Sequence, residues 1–292
     1  MITGTWSKVR RWVHSGDWIR PFRGAYVSAD IKLDNETMVR AAVAATGNSL
    51  VAVRESAAVM HGFGVLGTSP VHLSGASTKT ARSQPGLEIH GYRIAPDEIR
   101  RVADIRATSA DRTVVDLARI VDRLDALPVV DAALRAGACT NESLAAQLAR
   151  QPGERGIVAA RWLIERGDPA AESPMESRAR LRVLDSTLPR PCLQWWARNS
   201  AGTPVYRLDL AWPDYRVGLE YDGSDHLTRM RQRSDIERRA WLMQTGWRVL
   251  WVTDVDIYRY HVRMIARLRQ LIQSGDHADR AAIYGVSSTQ SA

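Results

Sequence analysis

Three carboxylates fall on a predicted β-hairpin in the last third of the chain. The alternation of residues predicts two strands, 206–212 and 216–222. Asp209 lies in the middle of the first strand, and Glu220 and Asp222 lie two residues apart near the end of the second. Because side chains two apart on a strand point to the same face, Glu220 and Asp222 should project together. Asp209 on the neighbouring strand can join them.

A divalent cation would offset the repulsion among three such carboxylates. Hard cations such as Mg²⁺ take oxygen ligands, often one or two carboxylates together with substrate phosphates. A bound Mg²⁺ activates water and neutralises charge on phosphoryl oxygens, as phosphodiester cleavage requires. The hairpin therefore indicates a metal-dependent phosphodiesterase. Two structural alternatives stay open: Asp222-Gly223 as a plain turn, and Asp209 as a charge that protects an edge strand.

The charge balance favours a nucleic-acid partner. The net charge is +8, and the 40 basic residues include three lysines, which leaves 37 arginines. The planar arginine fork matches phosphate with two parallel hydrogen bonds, and a basic chain attracts nucleic acid. A GC-rich genome, which also replaces lysine with arginine, is the alternative explanation.

Composition places the chain among globular proteins of the cytoplasm. Apolar residues make up 45% of the chain and charged residues 25%, and no apolar run approaches the roughly 18–20 residues that span a bilayer. The N-terminus lacks the apolar segment of a secretory signal, so we expect a cytoplasmic protein without membrane contact. Cys139 and Cys192 have no partner at metal-ligand spacing, so neither a zinc site nor a disulfide scaffold is expected.

The pattern predicts an α/β protein of two domains with short additional segments. We expect a partial winged-helix unit at 1–30 and a mainly helical domain at 31–168. An αβββαβ domain at 174–273 and a disordered tail at 276–292 should follow. The predicted helices of the second part lie at 36–45, 55–61, 109–122, 128–135 and 141–148, with a β-like stretch at 71–94. A polar linker is expected at 167–174.

A helix followed by a basic hairpin near the N-terminus suggests the recognition helix and wing of a winged helix. The helix is predicted at 6–14 and the hairpin at 18–27. If this unit binds DNA, the candidate residues are Lys8, Arg10, Arg11, Arg20 and Arg23. A solvated basic surface is the alternative. Only one helix precedes the hairpin, so a complete helix-turn-helix cannot be built.

The C-terminal domain shows the clearest order of elements. Helices are expected at 174–184, 228–245 and 257–272, and strands at 193–197, 206–212, 216–222 and 247–252. The helix at 228–245 connects the strands 216–222 and 247–252 as a crossover. These two strands should therefore be parallel neighbours with a right-handed connection.

Residues 174–273 resemble the very-short-patch repair endonuclease-like domain of the PD-(D/E)xK nuclease superfamily. The resemblance rests on Asp209, Glu220-Tyr221-Asp222-Gly223-Ser224-Asp225-His226, Asp235-Ile236-Glu237-Arg238, Leu242 and Gly246-Trp247-Arg248-Val249. It implies a restriction-endonuclease-like fold in which Asp209 and Glu220 hold Mg²⁺ or Mn²⁺. Asp222 stands where the superfamily usually has its lysine, and 174–273 contains no lysine.

The same resemblance assigns roles to further residues. His226 would act as general base, or would protonate or stabilise the leaving group. Glu176 would orient a metal-bound water. Independently of the resemblance, Arg229, Arg231 and Arg233 open the predicted crossover helix just after His226, and we expect them near DNA phosphate. Arg238 would pair with Asp235 or reach the substrate backbone.

Residues 1–165 resemble the antitoxin family of abortive-infection (AbiEi-like) toxin–antitoxin systems. The matching segments lie at 15–27, 55–62 and 108–118, and include Glu55-Ser56-Ala57-Ala58-Val59-Met60-His61-Gly62. The resemblance implies a DNA-binding winged helix, a helical second domain and a cognate toxin as partner. We interpret His61 as a structural residue at a helix end.

Two functions follow from the sequence, and a third is weaker. The first is a metal-dependent DNA endonuclease fused to an antitoxin-like region. The alternative is a DNA-binding transcriptional regulator or antitoxin whose nuclease-like domain is catalytically inactive. In the third, the carboxylates pair with arginines and the chain serves a protein partner. The sequence makes no prediction of the oligomeric state.

Overall fold

The computed structural model describes residues 6–67, 69–75, 83–91, 93–223 and 229–284, with backbone only at 6–8, 229–233 and 275–284. The chain divides into two compact units, Met1–Pro169 and Ala170–Ala292. Each unit combines helices with a β-sheet, so the predicted α/β class is confirmed. None of the helices among the described residues has the length and apolar character that crossing a bilayer requires.

The first unit begins with a helix packed on a hairpin, as predicted. Helix α1 (Trp6–His14) precedes strands β1 (Trp18–Phe22) and β2 (Ala25–Ser28), which pair antiparallel. The rings of Trp12 and Trp18 stack with their centroids 5.8 Å apart, which holds the helix against the hairpin.

A five-stranded mixed sheet forms the middle of the first unit, and this corrects the mainly helical prediction. Its strands are β3 (Val51–Ala52), β4 (Val71–Ser74), β5 (Leu87–His90), β6 (Ile99–Val102) and β7 (Ile105–Thr108), in the order β5-β4-β3-β7-β6. The pattern indicated strand only at 71–94. The other strands are two to four residues long, too short to show an alternating period.

Six further helices complete the first unit, namely α2 (Asn35–Ala45), α3 (Arg54–Met60), α4 (Ala110–Ile120), α5 (Arg123–Arg135), α6 (Asn141–Ala149) and α7 (Ile157–Ile164). Helix α5 begins before the predicted position 128 because the Asp122 side chain accepts a hydrogen bond from the backbone N–H of Leu124. Pro128 therefore lies inside the helix.

Helix α7 was not predicted, and it starts directly after Gly156. This glycine has φ = 83° in the left-handed region, and a Cβ placed on it would lie 2.3 Å from the carbonyl oxygen of Arg119. The start of α7 thus depends on a residue without a side chain.

The second unit is a four-stranded sheet with helices on both faces. Its helices are α8 (Pro174–Leu184), α9 (Arg229–Gln244), α10 (Asp254–Tyr258) and α11 (His261–Tyr284), and its strands are β8 (Cys192–Arg198), β9 (Pro204–Trp212), β10 (Val217–Tyr221) and β11 (Arg248–Val252). The strand order is β11-β10-β9-β8, and β10 and β11 run parallel as predicted. Leu210, Leu219 and Leu268 belong to one apolar core, and Leu208 and Leu242 belong to another.

Two predictions for the end of the chain need correction. The helix predicted at 257–272 is two helices, because α10 ends at Tyr258 and α11 begins at His261. Helix α11 also continues to Tyr284, where the composition predicted a disordered tail from 276. Residues 285–292 lie outside the described part of the chain.

Candidate functional site

Strands β9 and β10 separate at the two carboxylates that the sequence singled out. Their backbone ladder pairs Val217 with Trp212 and ends at the pair of Leu219 and Leu210. One step further, the N–H of Asp209 donates to Glu220 Oε1 at 3.2 Å. The N–H of Tyr221 donates to Asp209 Oδ2 at 2.9 Å. The predicted proximity of Asp209 and Glu220 is thus found in the structure.

Burial makes both carboxyls hold their protons more tightly. Glu220 keeps 4% of its surface exposed. Desolvation raises the pKa of Asp209 to about 6, and the neighbouring charge of Glu176 adds to this rise. Desolvation and the charge of Asp209 raise the pKa of Glu220 to about 8, against the opposing effect of Arg238. We call Glu176, Asp209 and Glu220 the carboxylate centre.

Arg238 on α9 supplies a positive charge to this centre. Its Nη2 lies 2.8 Å from Glu220 Oε2 and 2.6 Å from the carbonyl oxygen of Arg207. Its guanidinium carbon lies 5.6 Å from the ring centroid of Trp251 and 5.9 Å from that of Tyr206, within the range of cation–π attraction. Arg238 therefore contacts Glu220, whereas the sequence had suggested a pair with Asp235 or a contact with the substrate backbone.

Glu176 is held in place from two sides. It lies in the first turn of α8, where its own backbone N–H donates to the side chain of Ser173. Its Oε2 accepts hydrogen bonds from the N–H of Glu172 at 2.9 Å and from Gln194 Nε2 at 2.8 Å. Gln194, inside β8, has φ = 51°, which is rare for a residue with a side chain. No sequence signal distinguished Gln194, since its stretch fits a regular strand.

Asp222 does not join the carboxylate centre, which corrects the prediction that it projects with Glu220. Strand β10 ends at Tyr221, and alternation of side chains applies only within the extended strand. Asp222 is exposed and accepts a hydrogen bond from Arg239 at 3.3 Å. His226 lies outside the described residues. The side chains of Arg229, Arg231 and Arg233 do so as well.

Oxygens of the carboxylate centre are already engaged in hydrogen bonds within the protein. Both oxygens of Glu220 already accept protein hydrogen bonds, from the N–H of Asp209 and from Arg238. Oxygens of Asp209 and Glu176 are engaged as well. Within the part of the chain that the structure describes, these three carboxylates do not converge closely enough to act as joint ligands of one ion.

A second candidate site lies between α1 and the N-terminal hairpin. A cavity of about 850 Å³ is lined by Val9, Arg10, Arg11, Val13, His14, Arg20 and Tyr26, and we call it the basic cavity. The guanidinium of Arg20 lies 5.8 Å from the ring centroid of Tyr26. Three arginines around one concave surface suit an anionic ligand such as phosphate.

Arg23, one of the predicted DNA-binding residues, does not line the described part of this cavity. It is exposed at the hairpin turn, and its backbone N–H donates to Gln84 Oε1 at 2.8 Å. The side chain of Lys8 lies outside the described part of the chain. Of the predicted residues, Arg10, Arg11 and Arg20 are found at this surface.

Part of the first unit matches a known protein family. Residues 50–166 match the family described as AbiEi antitoxin C-terminal domain, which confirms the antitoxin resemblance for this segment. The match does not extend to 174–273, where the nuclease resemblance lies. No solved structure matches the chain.

Two proteins of Mycobacterium tuberculosis are similar along almost the whole length. They are the uncharacterized protein Rv2248 of strain ATCC 25618 / H37Rv and the uncharacterized protein MT2308 of strain CDC 1551 / Oshkosh. Each is 34% identical over 274 residues, which cover 94% of this chain and 97% of the relative. The chain belongs to the family of these two mycobacterial proteins, and its residues 50–166 match the AbiEi antitoxin C-terminal domain.

Proposed function

We propose that the protein is an antitoxin-type regulator that binds DNA through its N-terminal helix and hairpin. The observation that carries this proposal is the match of residues 50–166 to an antitoxin domain. The helix and hairpin that line the basic cavity come before this segment in the chain. Antitoxins of the family that the sequence resembles combine a DNA-binding unit with a second domain. The second unit then acts as a non-catalytic part, because Arg238 occupies Glu220 Oε2, an oxygen that a metal ion would need.

The basic cavity would engage the phosphate backbone. Arg10 and Arg11 extend from α1, and Arg20 extends from β1. Each arginine that neutralises a phosphate releases a condensed counterion, so affinity should fall steeply with salt. Sequence selectivity would come from the base contacts of α1 and the hairpin.

Fluorescence anisotropy with a labelled duplex from the chain's own upstream region tests DNA binding. The triple substitution Arg10→Ala, Arg11→Ala, Arg20→Ala should weaken binding by at least about tenfold at 150 mM salt. It should also reduce the slope of log affinity against log salt by about one for each phosphate that is no longer neutralised. Arg101→Ala is the control, because Arg101 is an exposed arginine of β6, outside the N-terminal helix and hairpin. An equal weakening of binding in both variants would contradict the role of the cavity.

The cognate toxin would be recognised by the domain at 50–166. Co-expression with the product of the adjacent gene tests this part, by co-purification and by relief of growth inhibition. If neither is observed, that gene product is not the toxin partner. The DNA-binding measurement does not depend on this result.

A Mg²⁺- or Mn²⁺-dependent DNA endonuclease is the second candidate. The observation that favours it is the gathering of Asp209 and Glu220 where β9 and β10 separate, with the charge of Glu176 nearby. It requires Arg238 to leave Glu220 when DNA and metal bind. Cleavage of supercoiled plasmid by the wild type, abolished in Asp209→Asn with Glu220→Gln, would establish it. No cleavage in either metal by a preparation that binds DNA would support the regulator.

A further inference from the structure

Two histidines and a glutamate meet on adjacent strands of the five-stranded sheet. Strands β4 and β5 run parallel, with His72 opposite Glu88 and Ser74 opposite His90. Because side chains alternate along a strand, these four residues share one face. Val71 and Leu87 point to the other face and belong to the apolar core. The cluster of His72, Glu88 and His90 thus lies at the β5 edge of the sheet.

The distances in this histidine cluster are those of a metal site. His72 Nδ1 lies 3.0 Å from His90 Nε2 and 3.6 Å from a carboxylate oxygen of Glu88. One ligand atom from each residue lies within 4.8 Å of the other two. Donors bound at about 2.0–2.1 Å around a tetrahedral Zn²⁺ lie roughly 3.3 Å apart, close to both distances. Among the described residues, this is the one set of His, Cys, Asp or Glu with such convergence.

A fourth residue, Glu55 on α3, lies on the far side of His72. Its Oε2 is 3.5 Å from His72 Nε2, and the Glu55 side chain is 16% exposed. That oxygen is buried and has no hydrogen-bond partner. A histidine that binds a metal through Nδ1 carries its proton on Nε2, and it usually donates that proton to a carboxylate. Metal binding at His72 would give Glu55 Oε2 the partner that it lacks.

The charge around the cluster also suits a divalent cation. Glu55 and Glu88 supply two negative charges against the single positive charge of nearby Arg54. The Glu88 side chain is 54% exposed, so an ion can enter from the surface.

We propose that His72, Glu88 and His90 bind a divalent transition metal ion, Zn²⁺ in the first place, and that Glu55 orients His72. Two imidazoles and one carboxylate form a three-ligand set that leaves a fourth position for water. The ion ties the edge strand β5 to β4, and through Glu55 to α3. This site uses no cysteine, which is why the cysteine spacing gave no sign of it. A proton shared between the two histidine rings is the alternative.

Isothermal titration of the metal-free full chain with ZnCl₂ tests the proposal. The wild type should bind one ion per chain at this site and gain thermal stability from it. Glu88→Gln and His90→Gln should each weaken zinc binding by at least about tenfold, and Glu55→Gln by about 10–100-fold. Because Glu88 is exposed, its variant should fold, which far-UV circular dichroism verifies.

His61→Gln is the matched control, since His61 bonds the carbonyl oxygen of Thr108 and lies outside the cluster. It should bind zinc like the wild type. Co²⁺ in place of zinc gives visible bands that report its geometry, and Glu55→Gln should alter them. Absence of zinc binding by the wild type would overturn the proposal. Unchanged binding by Glu88→Gln and His90→Gln would do the same.

Discussion

The side chains of Asp209 and Glu220 form the hydrogen bonds between β9 and β10 directly beyond the last backbone pair of these strands. Glu220 accepts from the N–H of Asp209, and Asp209 accepts from the N–H of Tyr221. Each carboxylate thus satisfies a backbone donor of the opposite strand, which lets the strands diverge without leaving these N–H groups unpaired. This arrangement costs free energy, because two carboxyl groups lie close together and are removed from water. Arg238 offsets part of that cost at Glu220.

Substitution of Arg238 by methionine should destabilise the second unit markedly. Glu220 has 5% of its side chain exposed, and removing Arg238 leaves this carboxyl without its cation. A buried group that loses its charged partner costs about 2–3 kcal/mol of unfolding free energy. Urea denaturation measures this destabilisation.

Arg239→Met is the control for this measurement. Arg239 is the next residue on the same helix, and its pair with Asp222 has side chains 50% and 49% exposed. An exposed pair contributes about 0–1 kcal/mol. Equal effects of the two substitutions would show that Arg238 does not neutralise Glu220.

The stability of the second unit should fall as pH rises from about 4 to about 8. The folded state keeps protons on Asp209 up to a pKa of about 6 and on Glu220 up to about 8, against ordinary values of 3.8 and 4.5. The folded state therefore binds more protons than the unfolded chain in this window. Its contribution is complete below about pH 4 and is lost as pH rises through the folded pKa values.

Denaturation at pH 5 and pH 8 of the wild type and Glu220→Gln measures this effect. The variant should lose less stability between the two pH values than the wild type does. Asp222→Asn should keep the wild-type pH dependence, because Asp222 is exposed and outside the centre. The same pH dependence in all three proteins would contradict the raised pKa of Glu220.

Gln194 offers a test of backbone strain beside the carboxylate centre. Gln194→Ala removes the hydrogen bond to Glu176 and keeps a side chain at φ = 51°, so it should cost about 1–2 kcal/mol. Gln194→Gly removes the same bond but relieves the left-handed strain, and should be more stable than the alanine variant by about 0.5–1 kcal/mol. An alanine variant that is more stable than the glycine variant would show that residue 194 is not left-handed in solution.

Arg112 should be among the most sensitive positions of the antitoxin domain. It bonds Glu98 through Nη1 and Asp116 through Nε, and both acids are buried. Arg112→Met leaves two buried carboxyls without this cation and should cost about 3–5 kcal/mol. Arg101→Met, whose partner Asp104 is 90% exposed, should change stability by less than about 0.5 kcal/mol in the same denaturation experiment. Similar destabilisation by both substitutions would refute the role of Arg112.

The second unit was predictable because its elements carry local signals. In the sequence of β9 and β10, apolar residues alternate with polar or small ones around a short turn, and Gly246 marks the end of α9. The crossover through α9 then requires β10 and β11 to be parallel, as they are. The proximity of Asp209 and Glu220 follows from the hairpin alone.

Non-local partners could not be predicted in this way. Strand β3 pairs with β7, some fifty positions later, through Ala52 and Ala107, and no local period encodes that choice. Arg238 reaches Glu220 from a helix whose rotation about its axis is set by tertiary packing. Gln194 combines a positive φ with a contact to Glu176, and glutamine has no intrinsic propensity that would predict either.

Gly156 restricts which residues can precede α7. A methyl group there would meet the Arg119 carbonyl at 2.3 Å, and the side chain of Arg119 bonds Gln151 and Glu154. Any replacement must displace the backbone of α4, and with it an arginine that also pairs with Asp116. A saturation library at residue 156 should therefore recover glycine almost alone, whereas Gly153, whose surroundings are open, should accept asparagine.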